Sequence, residues 1–202
     1  HTYPQPLNFE HWAIHGSMPF EECRVLAHSS DEIALSHAAS RAWPFPAVVS
    51  AVWEVHEWGV TTRASISTTH GEFPAALGWH PWFRRTLEVG TSARYELEAT
   101  AQYLRDQDEI VTGEISQIGA GPFDDSFAVP TGRAHIEWPK FRRIDIESDV
   151  QFMHLYEANT TVCIEPETSP PNGVNLLDLG FGHIVRPQEP LTAEVHWRVS
   201  RV

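Results

Sequence analysis

Thr192-Ala193-Glu194-Val195-His196-Trp197-Arg198-Val199 alternates apolar and polar residues without a break. Successive side chains of an extended chain point to opposite faces. Ala193, Val195, Trp197 and Val199 therefore share one side, and Thr192, Glu194, His196 and Arg198 the other. The pattern predicts a half-buried antiparallel strand. The same period of two recurs upstream. Residues 48–58 and 60–69 are rich in β-branched and aromatic side chains and meet at Trp58-Gly59, which predicts a hairpin. Further strands are predicted over residues 94–100, 133–138, 142–147, 150–157 and 160–165. Turn formers such as Pro130-Thr131-Gly132 and Ser169-Pro170-Pro171-Asn172-Gly173 punctuate them. Only residues 31–41 carry a run of helix formers, enough for a turn or two of helix. Many short strands with no intervening helices predict an all-β, antiparallel β-sandwich, and residues 1–202 are read as one domain.

The 14 Lys and Arg against 27 Asp and Glu leave a formal charge of −13. Such a surface repels nucleic acid and anionic membranes, and it disfavours a phosphorylated ligand. No apolar run approaches the length of a membrane span. Cys23 and Cys163 are the only cysteines, too few for a disulfide framework, so a reducing, cytoplasmic setting is expected. The chain opens on His1 rather than Met, and an upstream segment is expected to be missing. A sheet edge left open by that loss favours association, so a homodimer is a further expectation.

Twelve histidines raise the question of a metal. His11 and His15 have the i, i+4 spacing of a zinc-protease helix but enclose no Glu, and His56-Glu57 lacks the second histidine. No Cys-x-x-Cys or His-x-His occurs, and neither does Gly-x-Ser-x-Gly. Neither a metal nor an organic cofactor is expected. Three other segments combine titratable groups with aromatics and prolines: Leu77-Gly78-Trp79-His80-Pro81-Trp82-Phe83, Pro122-Phe123-Asp124-Asp125-Ser126-Phe127 and Cys163-Ile164-Glu165-Pro166-Glu167-Thr168. Aromatic faces stack on the C–H surface of a pyranose while carboxylates and imidazoles bond its hydroxyls, so the mixture suits a sugar. Taken singly, each has a plainer reading, as an ordered loop histidine, a solvated turn or an exposed strand end.

In this order the segments resemble those of the aldose 1-epimerase, or galactose mutarotase, family, in its shorter bacterial-type branch. Ile14-His15-Gly16 is similar to an early His-Gly segment, and Leu77 to Phe83 to the segment of the catalytic histidine. Phe123 to Phe127 is similar to a sugar-binding Phe-Asp-x-x-Phe segment. Cys163 to Thr168, followed by Pro170-Pro171-Asn172-Gly173-Val174-Asn175, is similar to the segment of the catalytic glutamate. The likeness runs from His15 to the last strand. Nothing before His15 matches the family's segment with a substrate-binding Arg, and Ser17-Met18-Pro19 departs from the usual continuation.

The resemblance implies a galactose mutarotase-like supersandwich and interconversion of the α and β anomers of an aldohexose such as galactose or glucose. It assigns Glu165 as the base that takes the anomeric proton and His80 as the acid that protonates the ring oxygen. His15 and Asp124 would bind hydroxyls. Composition adds Trp79, Trp82 and Phe83 as walls of the site. Acid and base are expected to converge on one groove from opposite sides of the sugar ring. Two alternatives stand beside this: a non-catalytic carbohydrate-binding protein on the same fold, and a hexose-6-phosphate epimerase, which calls for a basic phosphate pocket that the sequence does not reveal.

Overall fold

A computed structural model describes residues 13–16, 18, 21–39, 43–88 and 90–202. The strands among them are β1 (Arg24–His28), β2 (Glu32–Ala38), β3 (Ala47–His56), β4 (Gly59–Thr68), β5 (Phe73–Ala75), β6 (Trp82–Arg84), β7 (Arg94–Leu97), β8 (Ala101–Arg105), β9 (Val111–Ser116), β10 (Asp124–Ala128), β11 (Arg133–Trp138), β12 (Arg142–Ser148), β13 (Phe152–Glu157), β14 (Thr161–Glu167), β15 (His183–Val185) and β16 (Leu191–Ser200). Two single-turn 3-10 helices, Gly173–Asn175 and Leu177–Leu179, follow β14. No helix among the described residues is long and apolar enough to cross a membrane.

One sheet has eight strands in the order β1-β2-β3-β4-β16-β12-β11-β7, a second has six in the order β6-β14-β13-β10-β8-β9, and β15 pairs with β5. Neighbouring strands run antiparallel. The alternation of β16 is realised as expected: Ala193 and Val195 are buried, while Glu194 and Arg63 of β4 face each other on the outer side. Inward residues of both sheets meet in one core, with Ile136, Ile146 and Val195 from the large sheet against Met153, Leu155, Val162 and Ile164 from the small one. Ile136, Ile146, Met153, Val195 and Ile164 are fully shielded, and each such side chain contributes roughly 1.5–3 kcal/mol by leaving water. A second cluster around Ala47, Ile66, Phe73 and Val185 closes one end. The architecture is the antiparallel β-sandwich expected from the sequence.

One local expectation is corrected. Residues 32–38, placed in the stretch of helix formers, form β2 and pair with β3 from Glu32 opposite Glu54 to Ala38 opposite Val48. A full ladder on a growing sheet outweighs per-residue helix propensities of a few tenths of a kcal/mol. The predicted hairpin is present, with His56 opposite Gly59 across the Glu57-Trp58 turn.

Gly59 is required there for two reasons. Its φ is +143°, a conformation that L side chains rarely adopt, and a Cβ would stand 1.9 Å from the carbonyl oxygen of Trp197. Both clashing groups are backbone in the middle of the large sheet, so neither can yield cheaply. Gly59→Ala is expected to cost more than about 1 kcal/mol and to lower the thermal midpoint by at least about 2–4 °C. An unchanged midpoint in a thermal melt followed by circular dichroism would contradict this account of the hairpin.

Candidate active site

β14 reads Thr161-Val162-Cys163-Ile164-Glu165-Pro166-Glu167. Val162, Ile164 and Pro166 point into the core, so Cys163, Glu165 and Glu167 project from the opposite, outer face of the small sheet. The chain from Leu77 to Arg84 runs antiparallel alongside. Thr168 N–H donates to Leu77 O, Gly78 bridges to Glu167, and Trp79 N–H donates to Pro166 O. Beyond the interruption at His80-Pro81, Trp82 lies opposite Cys163 and Arg84 opposite Thr161. The register is the same on both sides of the break, and carrying it through sets His80 opposite Glu165. Pro81 has no N–H to give to the ladder, which accounts for an interruption at this point.

The register extends across the sheet. Glu165 lies opposite His154 of β13, and His154 opposite Ser126 of β10. Cys163 lies opposite Tyr156, and Tyr156 opposite Asp124. Cross-strand partners share a face, so His80, Glu165, His154 and Ser126 form one row, with Trp82, Cys163, Tyr156 and Asp124 in the row beside it. Within this lattice His80 Nε2 stands 3.5 Å from Glu165 Oε1. The Trp82 ring stacks on His80, with centroids 5.1 Å apart and planes 8° from parallel. His15, from the segment that precedes the strands, sets its ring edge-on to His80 at 5.2 Å. His11 lies outside the described residues.

Two expectations need correction. Trp79 and Phe83 do not share the face of His80 and Glu165: Trp79 lies opposite Pro166 and Phe83 opposite Val162, both have the parity of the inward face, and both pack against the core. Trp82, of the other parity, has the exposed ring. Acid and base also do not straddle a space as wide as a sugar ring. As direct cross-strand neighbours they meet at one edge.

Burial dominates the electrostatics. It pushes the Glu165 carboxyl up to about 9, helped by the charges of Glu167 and Asp124, and pushes Glu167 up to about 8. Burial, then the neighbouring His15, lowers His80 below its ordinary value. At neutral pH the resting pair therefore holds one proton, on Glu165. Asp124 differs: the hydrogen bond from His154 leads the effects that hold its carboxyl below the usual range. The ligand atoms of His80, Cys163 and Glu165 lie within 4.8 Å of one another, a composition that a metal ion could use. A cation there would have to displace protons from Glu165 and from the Cys163 thiol, which burial pushes up to about 12.

Sequence reasoning missed His154 and Ser126. His154 Nε2 lies 2.9 Å from Asp124 Oδ1, and its Nδ1 lies 2.9 Å from Ser126 Oγ. The signal was present in the predicted strand over residues 150–157, where buried Met153 and Leu155 alternate with Phe152, His154 and Tyr156. A depression of about 710 Å³ lies on the outer face of the eight-stranded sheet, lined in part by Ser50, Arg63, Ser65, Thr192, Glu194 and His196. Its Arg63 is paired with both Glu54 and Glu194, and its His196 stands 2.9 Å from Glu194, but that carboxylate is partly exposed and shared with Arg63, whereas Glu165 is buried.

Carboxyl groups raised on folding bind their protons more tightly in the folded state than in the unfolded one. The stability they contribute is therefore lost as pH rises from about 4.5 through 8 and 9. Glu165→Gln and Glu167→Gln are each expected to flatten the decline of thermal midpoint between pH 6 and 9 by a few degrees. Identical declines in the parent and both variants would show that these carboxyls are not held neutral by burial.

No protein-family model and no curated protein sequence matches the chain. Solved structures do. A candidate aldose 1-epimerase of Escherichia coli K12 superposes with a TM-score of 0.83 at 22% identity, over 98% of this chain and 75% of that one. A galactose mutarotase-like protein of Clostridium acetobutylicum gives 0.82 at 17% identity, over 94% and 69%. An aldose epimerase homologue of C. elegans gives 0.76 at 16% identity, over 91% and 70%. The described strands, their antiparallel sandwich and these likenesses together give this chain the galactose mutarotase-like fold.

Proposed function

We propose that the protein is an aldose 1-epimerase that interconverts the anomers of a neutral aldohexose by acid–base ring opening at His80 and Glu165. The observation that carries this reading is the 3.5 Å approach of His80 Nε2 to Glu165 Oε1 on the outer face of the small sheet. The two oxygens that exchange protons in the reaction, O1 and O5, are both bonded to C1. A pair meeting at one edge can address both at once, so the observed closeness suits the chemistry better than a gap the width of a ring.

In the opening step the Glu165 carboxylate takes the proton from O1, the C1–O5 bond breaks with its electron pair on O5, and His80 gives O5 a proton. C1 becomes an aldehyde carbon. After rotation about C1–C2, O5 attacks the other face, returns its proton to His80, and O1 recovers a proton from Glu165. Burial strengthens both partners, since a raised carboxyl is the better base and a lowered imidazolium the better acid. The reactive arrangement, carboxylate with imidazolium, differs from the resting one by a single proton passed between them. His15, against His80, and Asp124 bind hydroxyls, and the exposed Trp82 offers a stacking face. Asp124 keeps a negative charge on this face, and Arg105 is engaged by Asp125 at 3.3 Å, which supports a neutral substrate over a sugar phosphate.

Polarimetry on freshly dissolved α-glucose and α-galactose tests this against enzyme-free buffer. The rate is expected to be bell-shaped in pH, because the working pair holds one proton. It falls on the alkaline side as that proton leaves near pH 9 and on the acid side as a second enters below the ordinary histidine value of 6.5. Glu165→Gln and His80→Asn are each expected to slow interconversion by roughly two or more orders of magnitude. Parent-like rates in both variants would remove the assignment. A parent that binds the sugars but adds nothing to the buffer rate would make it a carbohydrate-binding protein instead.

A further inference from the structure

Asp124 is the one hydroxyl-binding candidate with two protein cations or donors competing for it. His154 Nε2 stands 2.9 Å from its Oδ1, and Arg105 Nη2 stands 4.0 Å from the same oxygen. A carboxylate can only accept, so Nε2 of His154 carries the hydrogen and donates it. At the other end of the ring, Nδ1 meets the hydroxyl of Ser126, which is 1% exposed and sits directly opposite His154 in the register. The imidazole is thus held at both nitrogens and cannot rotate without breaking a buried contact. Oδ2 of Asp124 is left without a protein partner among the described residues, on a side chain 65% exposed on the outer face of the sheet.

We propose that His154, anchored by Ser126, is the positioning residue of the sugar-binding carboxylate: it fastens Oδ1 of Asp124 and leaves Oδ2 free to accept from a hydroxyl of the aldose. This rests on the proposed function, since it assigns Asp124 to substrate. Its consequence is a division of labour. Glu165 lies opposite His154 in the register, but no hydrogen bond joins the two side chains. His154 therefore acts on how the sugar is held more than on how its protons move. Without it, Arg105, which already holds Asp125 at 3.3 Å, becomes the nearer partner and draws the Asp124 carboxylate toward itself.

Three variants of the full chain test this, with thermal midpoints read on the same samples. His154→Ala is expected to raise KM for glucose or galactose about tenfold while kcat changes less than about threefold, the size of one hydrogen bond to a charged group. His154→Gln, whose side-chain amide can donate in the place of Nε2–H, is expected to recover most of the loss. Ser126→Ala, a small buried change, is expected to raise KM by an intermediate factor. ¹⁵N NMR of the parent imidazole should show the hydrogen on Nε2. The role is overturned by an unchanged KM in His154→Ala, by a loss confined to kcat, by a Gln variant no better than Ala, or by a bare Nε2. If the parent proves catalytically silent, the dissociation constant for the same sugars from saturation-transfer NMR replaces KM. A tenfold loss in His154→Ala then upholds the positioning role while the epimerase reading falls, and no loss overturns the role itself.

Discussion

The site depends on the register between the chain from Leu77 to Arg84 and the strand from Thr161 to Glu167. Pairing on either side of His80-Pro81 is in phase, and so the histidine is delivered opposite Glu165 although Pro81 removes a ladder hydrogen bond between them. A slip of one residue would send His80 and Trp82 to the core and bring Trp79 and Phe83 to the surface. The core enforces the observed choice, because Val162, Ile164, Trp79 and Phe83 fill space that His80 and Glu165 could occupy only at the cost of burying unpaired polar groups. Hydrophobic packing between the sheets thus fixes the placement of polar groups on the outer face.

The same burial sets the chemistry. Glu165 lies on the outer face yet is almost wholly buried, and among the described residues its Oε1 has no hydrogen-bond partner, His80 Nε2 standing 3.5 Å away. A charge in that position is costly unless compensated, which is why the carboxyl is raised and the imidazole lowered. Two groups that each resist ionisation, side by side, make a pair that holds one proton over a broad pH range and needs little reorganisation to pass it on. Asp124 stands at the other extreme, exposed and held ionised with its His154 partner. One sheet face therefore carries a poised neutral pair and a fixed anion, the two properties on which the proposed reaction draws.

Much of this was legible in the sequence, and the remainder was hidden for physical reasons. Alternation in residues 192–199 and the hairpin about Trp58-Gly59 correspond to strands observed at those places, because period two states directly which side of a half-buried strand meets the core. Residues 31–41 misled because local helix propensity is weaker than a neighbouring strand's demand for a partner. Trp79 misled because composition alone placed it, with no strand predicted over its segment to give the parity of Trp79 against Trp82 a meaning. Once it is known to pair with β14, parity alone sends the first inward and the second outward. His154 and Ser126 were overlooked because each stands one strand over from a residue of interest, and cross-strand neighbours are a property of register, which no single segment encodes.

An aldose bound as proposed lies on the outer face of the small sheet with C1 against His80 and Glu165. The most direct measurement is a crystal structure of the protein soaked with galactose or glucose. The expected density is a pyranose on that face with O1 and O5 each within hydrogen-bonding distance of Glu165 or His80 and a hydroxyl on Asp124. A sugar seated instead in the depression lined by Arg63 and Glu194 on the opposite sheet, or on the predicted face with C1 turned away from both groups, would contradict it.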